Sequence, residues 1–188
     1  MAKQLWKPGN MLYPLPAVMV SCERKGEKPN IITLAWAGTI CSDPAMVSVS
    51  IRPERYSHDI IEESGEFAVN LVTTELLRSC DWCGVRSGRD FDKFKEMGLH
   101  VYRPEISGAP AVQESPVNIF CKVTGIERLG SHDMFIGEVT GVTVDESYMD
   151  ENGRFDLDAT GLIAYSHGSY FALGEKLGKF GYSVQKKQ

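Results

Sequence analysis

Apolar and polar positions alternate with a two-residue period in many short stretches of this chain, and only briefly with the spacing of a helical face. The strictest alternation is Met46-Val47-Ser48-Val49-Ser50-Ile51. Comparable runs predict strands at 17–23, 31–37, 45–51, 66–72, 99–103, 117–128 and 133–145, the last two joined through Leu129-Gly130-Ser131-His132. The runs 31–37 and 45–51 read as a hairpin with an apolar inner face, turned by Cys41-Ser42 and closed by Asp43-Pro44. Three helices fit between strands. One covers 59–64, with Ser57 as its cap and Gly65 as its stop. Another covers 74–83, with Thr74 as cap, Glu75 in the first turn and Gly84 as stop. The third covers 91–97 between Asp90 and Gly98. Residues 7–16, rich in proline and aromatics, predict an extended arm; 145–158 predict an acidic, exposed connection. No repeat or linker interrupts the pattern, so one domain over 1–188 is expected. Many short strands with few helices predict a mainly β protein, a barrel with helices attached.

Charge and cysteine content narrow the function. A formal net charge of −5 disfavours a nucleic acid held through its phosphates, without excluding a local basic pocket. Five cysteines do not read as a disulfide framework, no signal pattern opens the chain, and no apolar run reaches the roughly 18 residues of a membrane span. A cytoplasmic protein with reduced thiols, and with no membrane partner, is the expectation. The pair Cys80-x-x-Cys83 falls late in its predicted helix, where the dipole favours the protonated thiol, and lacks a second ligand pair for zinc. No Walker loop, dinucleotide fingerprint, nucleophile elbow or zinc-protease helix is present.

Two cationic clusters carry the candidate chemistry. Arg52-Pro53-Glu54-Arg55-Tyr56-Ser57 ends at a predicted helix start, where guanidinium groups, a hydroxyl and free backbone N–H groups make an anion site. Val85-Arg86-Ser87-Gly88-Arg89 precedes another helix start and Lys93. Beside them the apolar run around Trp36 offers a flat surface, with backbone N–H groups from Thr33 to Trp36 along it, so a phosphorylated planar cofactor suits the combination. Each residue also has an ordinary reading: solvated surface arginines, a core tryptophan, and lone histidines at strand ends.

The ordered motifs NIITLAWAG, CSDP, SIRPERYSHDII, FAVN, SGRDFDKF, GSHDMFIGEV and YFALGEKLGKFGYSV span nearly the whole chain. The sequence thereby resembles the flavin reductase-like, FMN-binding split-barrel family, and within it the flavoredoxin branch. The resemblance implies a six-stranded Greek-key split β-barrel with a few short peripheral helices. It also implies non-covalent FMN, with NAD(P)H as a transient co-substrate. Asn30, Thr33, Leu34, Ala35, Trp36 and Cys41 would then lie about the flavin. Arg52, Tyr56, Ser57, Ser87, Lys93 and Phe94 would complete the cofactor site toward the phosphate. His132, Tyr165, His167 and Tyr170 would face the nicotinamide nucleotide. A homodimer is implied, with free flavin, a redox protein or a monooxygenase as electron acceptor. The residues leave three functions open: an NAD(P)H-dependent flavin reductase, a flavoredoxin-like electron carrier reduced by a protein partner, and a non-catalytic barrel serving as an interaction module.

Overall fold

The computed structural model describes residues 1–184; the polar end at 185–188 lies outside the described residues. In chain order the elements are β1 (Leu15–Pro16), β2 (Val18–Cys22), β3 (Asn30–Leu34), β4 (Ala37–Ser42), β5 (Ala45–Ile51), α1 (Tyr56–Ser64), β6 (Glu66–Leu71) and α2 (Leu77–Val85). They continue with α3 (Lys93–Met97), β7 (Val101–Tyr102), β8 (Ala111–Val112), β9 (Val117–Arg128), β10 (Asp133–Val144), β11 (Ile163–Ser166) and β12 (Ser169–Ala172).

Seven strands form one antiparallel sheet in the order β3-β2-β6-β9-β10-β5-β4. Its two outer strands are separated in sequence by only Ala35 and Trp36, so the sheet must curl until its edges meet. The backbone N–H of Ser50 donates to Trp36 O at 2.8 Å and carries the β5–β4 ladder toward that junction. Counted as one bent strand, β3 and β4 complete a ring of six. β5 pairs with β4 and β10 rather than with β6, and α1 carries the chain across to β6, a Greek-key connection. The fold is the expected split barrel.

The expected hairpin of 31–37 with 45–51 is corrected by this junction. The apolar run breaks at Ala35-Trp36; β4 pairs with β5 directly, and β3 pairs with β2. Cys41 and Ser42 belong to the strand, and the turn is Asp43-Pro44 alone.

Burial explains the pattern along β2, all five of whose residues are buried. Val18, Val20 and Cys22 point into the barrel with Ile32, Val49, Phe67 and Phe135, and Ile60 and Ile61 of α1 join that core. Met19 points the other way, into a second core with Cys80 and Cys83 of α2 and Phe94 of α3. A strand covered on both faces reads as continuous apolar sequence.

The helix boundaries also differ from expectation. α1 starts at Tyr56 with Arg55 at its boundary, because the Ser57 side chain is buried and engaged elsewhere. Thr74 donates its N–H to Gly161 O, and a turn in which Thr73 accepts from Leu76 N precedes α2, which begins at Leu77. Gly84 lies inside α2 rather than stopping it. A Cβ there would sit 3.2 Å from Thr33 Cβ, so glycine lets α2 pack closely on β3. Asp92 rather than Asp90 caps α3, accepting from Lys95 N. Gly65 and Gly98 stop their helices in the left-handed conformation, as expected.

Gly137 on β10 lies at a register shift against β9, and a Cβ there would sit 2.7 Å from Phe67 Cζ and 2.9 Å from Cys121 Cβ. The Gly137→Ala variant is expected to lose about 1–3 kcal/mol of stability by overpacking the barrel, measured as a lowered urea midpoint.

Candidate functional site

The start of α1 faces the loop between α2 and α3, and the gap between them is a cavity of about 220 Å³. Its floor is the beginning of β3. There the buried Asn30 donates from Nδ2 to Ser57 Oγ at 2.7 Å and fixes the serine at the cavity wall. The first N–H groups of α1 have no acceptor within the helix and carry the positive end of its dipole. α1 is itself anchored below: His58 Nε2 lies 2.8 Å from the buried Asp133 carboxylate on β10, which also pairs with Arg128.

Four cations border this cavity against one carboxylate, Glu54. Arg55 donates to Gly84 O at 2.6 Å, which places its guanidinium across the gap to α2. Arg89 donates to Glu54 O at 3.2 Å, with its guanidinium 5.2 Å from the Tyr56 ring centroid. Arg86 stands on the same loop. Lys93 is 2% exposed and donates to Ile31 O at 2.7 Å and to Cys83 O at 2.8 Å, leaving one ammonium N–H. Burial pulls the Lys93 ammonium down to about 8. Gly88 passes so close to the floor that a Cβ would lie 2.1 Å from Asn30 Oδ1 and 2.8 Å from Tyr56 Cδ1. Only glycine fits there without moving both.

A second cavity, of about 200 Å³, adjoins the first and shares Ile32 and Arg55 with it. Its wall is the β3–β4 junction from Thr33 to Trp36, and Arg52 and His132 stand at its rim. The rings of Trp36 and His132 lie within 9° of parallel, 6.4 Å apart. Burial and the nearby Arg52 lower the pKa of His132, which keeps its imidazole neutral near pH 7. Together the cavities reach the range of small-molecule sites, about 300–1,000 Å³. The arrangement suits an elongated ligand with an anionic group at one end and a flat ring at the other.

The flavin reductase-like domain matches residues 11–174, most of the chain. The chain belongs to this family. It is 32% identical to the flavoredoxin of Desulfovibrio vulgaris (Miyazaki F), with a TM-score of 0.90 over 98% of this chain and 100% of that one. The flavoredoxin of Methanosarcina acetivorans is 26% identical, with a TM-score of 0.86 and coverage of 98% and 100%. An FMN-binding protein of Thermus thermophilus, solved with bound 1-cyclohex-2-enone, is 25% identical, with a TM-score of 0.78 over 95% of this chain and 98% of that one.

In this family member the residues singled out by sequence fall into four groups. Asn30, Tyr56, Ser57, Ser87 and Lys93 come together around the cationic cavity. Thr33, Leu34, Ala35, Trp36, Arg52 and His132 come together around its neighbour, where Thr33 also donates its hydroxyl to Cys80 O. Cys41 and Phe94 line neither cavity. Cys41 is on β4 with its thiol toward Asp43 O, and Phe94 is 4% exposed in the second core. Tyr165, His167 and Tyr170 lie on the β11–β12 hairpin, which pairs with β1. They gather around Tyr13 of the amino-terminal arm, Tyr170 donates to Asp81, and they too line neither cavity. Arg55, Arg86 and Arg89 are cavity cations that lie in the two sequence clusters but carry no individual role from sequence alone. Arg55 borders both cavities, and its position immediately before a helix start was the available signal.

The thiols of Cys80 and Cys83 are buried, and burial pushes them up to about 12 and about 11, which leaves them protonated and inert. Among the described residues no cluster of three or more potential ligands could hold a metal ion. No helix among them is long and apolar enough to cross a membrane.

Lys93 gives the site a pH signature. Folding lowers its pKa from 10.5 to about 8, so between those values the unfolded chain holds the extra proton and stability rises with pH. The penalty is complete below pH 8 and absent above 10.5. The stability difference between the wild type and Lys93→Met is therefore expected to shift in favour of the wild type as pH rises from 8 to 10.5. Parallel urea titrations across that range measure it.

Proposed function

We propose that the joined cavities bind FMN non-covalently and that the protein is an NAD(P)H-dependent oxidoreductase of the flavin reductase type. One observation carries the reading: four cations and a helix start converge on a cavity that opens onto the apolar β3–β4 junction. A phosphate monoester carries about −1.5 to −2 charge at pH 7 and accepts several charge-assisted hydrogen bonds. Arg55 offers a planar fork, Lys93 its third proton, and α1 its first backbone N–H groups. Gly88 lets the loop that carries Arg86 and Arg89 pass directly against Asn30 and Tyr56 at the cavity floor. The junction from Ile32 to Trp36 offers a flat surface for a ring system. Similarity to an FMN-binding protein at 25% identity supports the same choice of ligand.

Bound there, FMN would supply two-electron redox chemistry between a reduced nicotinamide and free flavin or another acceptor. The protein's own part is to hold the phosphate, orient the ring against the junction and shield it from water. The neutral, stacked His132 leaves a flat approach beside Arg52 for a transient second nucleotide. A second reading, electron transfer with a protein partner, is favoured by the 32% identity to a flavoredoxin over 98% of the chain.

Purified protein is expected to bind FMN with a shifted yellow absorbance and to bleach anaerobically when NADH or NADPH is added. Bleaching only with a chemical reductant would select the carrier, and failure to bind FMN would end both readings. Arg55→Ala is expected to weaken FMN at least about tenfold while leaving riboflavin, which lacks the phosphate, little changed, since a charge-assisted bond contributes about 1.5–3 kcal/mol. Fluorescence quenching of each flavin reads the difference.

A homodimer is part of the proposal. Trp6, Leu12, Leu177 and Phe180, at the two ends of the chain, are exposed in a single copy. Large apolar side chains at this exposure gain about 25 cal/mol per Å² on leaving water. Sedimentation equilibrium is expected to give twice the 20.9 kDa chain mass; a monomer at micromolar concentration would contradict it.

A further inference from the structure

The segment from 52 to 57, between the end of β5 and the first turn of α1, carries much of the candidate site. It supplies Arg52 to the rim of the ring cavity, Arg55 to both cavities, and Glu54, Tyr56 and Ser57 to the cationic one. Turn bonds shape it: Arg55 N–H donates to Arg52 O at 3.0 Å, and His58 N–H donates to Arg55 O at 2.9 Å. Those bonds are internal to the segment and do not fix where it lies on the barrel.

One residue of β10 meets both of its ends. The main chain of Asp133 stands opposite Ile51 in the β5–β10 ladder, directly before the segment begins. The Asp133 carboxylate lies 2.8 Å from His58 Nε2, directly after the segment ends. This contact is shielded from water, with the two side chains 5% and 6% exposed. Burial acts to raise the Asp133 carboxyl, but the donors from His58 and Arg128 outweigh it and hold the group below the usual carboxylate range. It is therefore ionised and only accepts. The other ring nitrogen, Nδ1, lies 3.0 Å from Asp59 Oδ1 and 3.9 Å from Glu62 Oε2. A carboxylate at each nitrogen fixes the direction of the ring, and Phe135 packs against it edge to face at 5.2 Å. Arg128 on β9 closes the group by pairing with Asp133 and Glu62.

We propose that His58 and Asp133 form a clasp that positions the 52–57 segment for its ligand, so that flavin affinity depends on a pair lining neither cavity. The inference rests on the flavin reading above and adds two positioning residues to it.

A short segment tied at both ends retains few conformations, and releasing one end restores many. The released end here is the start of α1, with Tyr56 and Ser57. A cation at a helix start opposes the dipole, so α1 alone does not favour a donating ring at His58; the carboxylates do. The clasp also reaches the other end of the site. His132, stacked on Trp36, directly precedes Asp133, so one contact sets the spacing between the cationic cavity and the ring cavity.

The test combines amide hydrogen exchange of the flavin-free protein with FMN titration. His58→Phe keeps a ring against Phe135 and leaves Asp133 paired with Arg128, but removes both donors. It is expected to speed exchange across 52–57 while β2, β6 and β9 keep their protection. It is also expected to weaken FMN about tenfold, the loss usual when a group that orients a ligand-holding residue is removed. Asp133→Asn keeps an acceptor oxygen for His58 Nε2–H and is expected to stay close to the wild type in both measurements. A lowered urea midpoint in His58→Phe with exchange at 52–57 and FMN affinity unchanged would make the pair merely structural and overturn the clasp. Asp133→Asn losing as much as His58→Phe would overturn it too, since the charge of the pair rather than its geometry would then matter. Should His58→Phe lose protection throughout the barrel, His58→Gln, which retains one donor, is expected to show the same changes to a smaller degree, and wild-type values there would overturn the clasp. If the wild type binds no flavin, the flavin reading fails by itself. Faster exchange at 52–57 in His58→Phe would then still support the clasp, and unchanged exchange would overturn it.

Discussion

The ammonium of Lys93 ties α3 to β3 and to the end of α2, through Ile31 O at 2.7 Å and Cys83 O at 2.8 Å. A buried cation is costly unless oxygen atoms surround it, and here they are main-chain carbonyls whose positions depend on the barrel and on α2. The last carbonyls of α2 also carry the negative end of a helix dipole, which favours the cation further. The compensation is incomplete, since burial still draws the pKa down to about 8. A phosphate on the open side of the ammonium would supply the missing counter-charge. One contact therefore sets the spacing of three elements and leaves a net positive demand facing the cavity.

The remaining cations are placed by the same close packing. Gly84 lets α2 lie against Thr33, which brings Gly84 O within reach of Arg55. Gly88 lets the following loop pass over Asn30 and Tyr56, and the loop carries Arg89 back to Glu54 O. A chain with a net charge of −5 thus concentrates positive charge in one cleft. Such focusing in a low-dielectric cleft attracts anions more strongly than the same charges spread over the surface. Outward along the same cleft the sign changes as Glu27, Asp90 and Asp92 take over.

Much of the barrel was legible in sequence because strand alternation is a local property. Residues 46–51 and 117–128 were read as strands, and both are strands in the structure. Gly65 and Gly98 were read as helix stops for the same reason, since a left-handed residue is a local requirement. The misplaced helix starts have more than one cause. Ser57, Thr74 and Asp90 all have the chemistry of a cap, but Asn30, distant in sequence, engages Ser57, Thr73 accepts from Leu76 N ahead of α2, and Asp92 caps in place of Asp90. The hairpin of 31–37 with 45–51 failed because nothing local marks where one bent strand passes from one sheet edge to the other.

The sequence by itself determined a mainly β chain, the family motifs in order, and two segments rich in cations and hydroxyls, because period, turn chemistry and residue type are written along the chain. Only the tertiary structure decided that these segments form one cavity and that Arg55 rather than Arg52 borders both of its halves. It likewise decided that Lys93 is a buried cation and that Cys41 and Phe94 stand outside the cavity walls. These are matters of which backbone atoms approach across 27 to 62 residues of sequence, as in Asn30 with Ser57 and Ile31 with Lys93. Such approaches are fixed by barrel closure and by close packing at glycine, which no local pattern encodes.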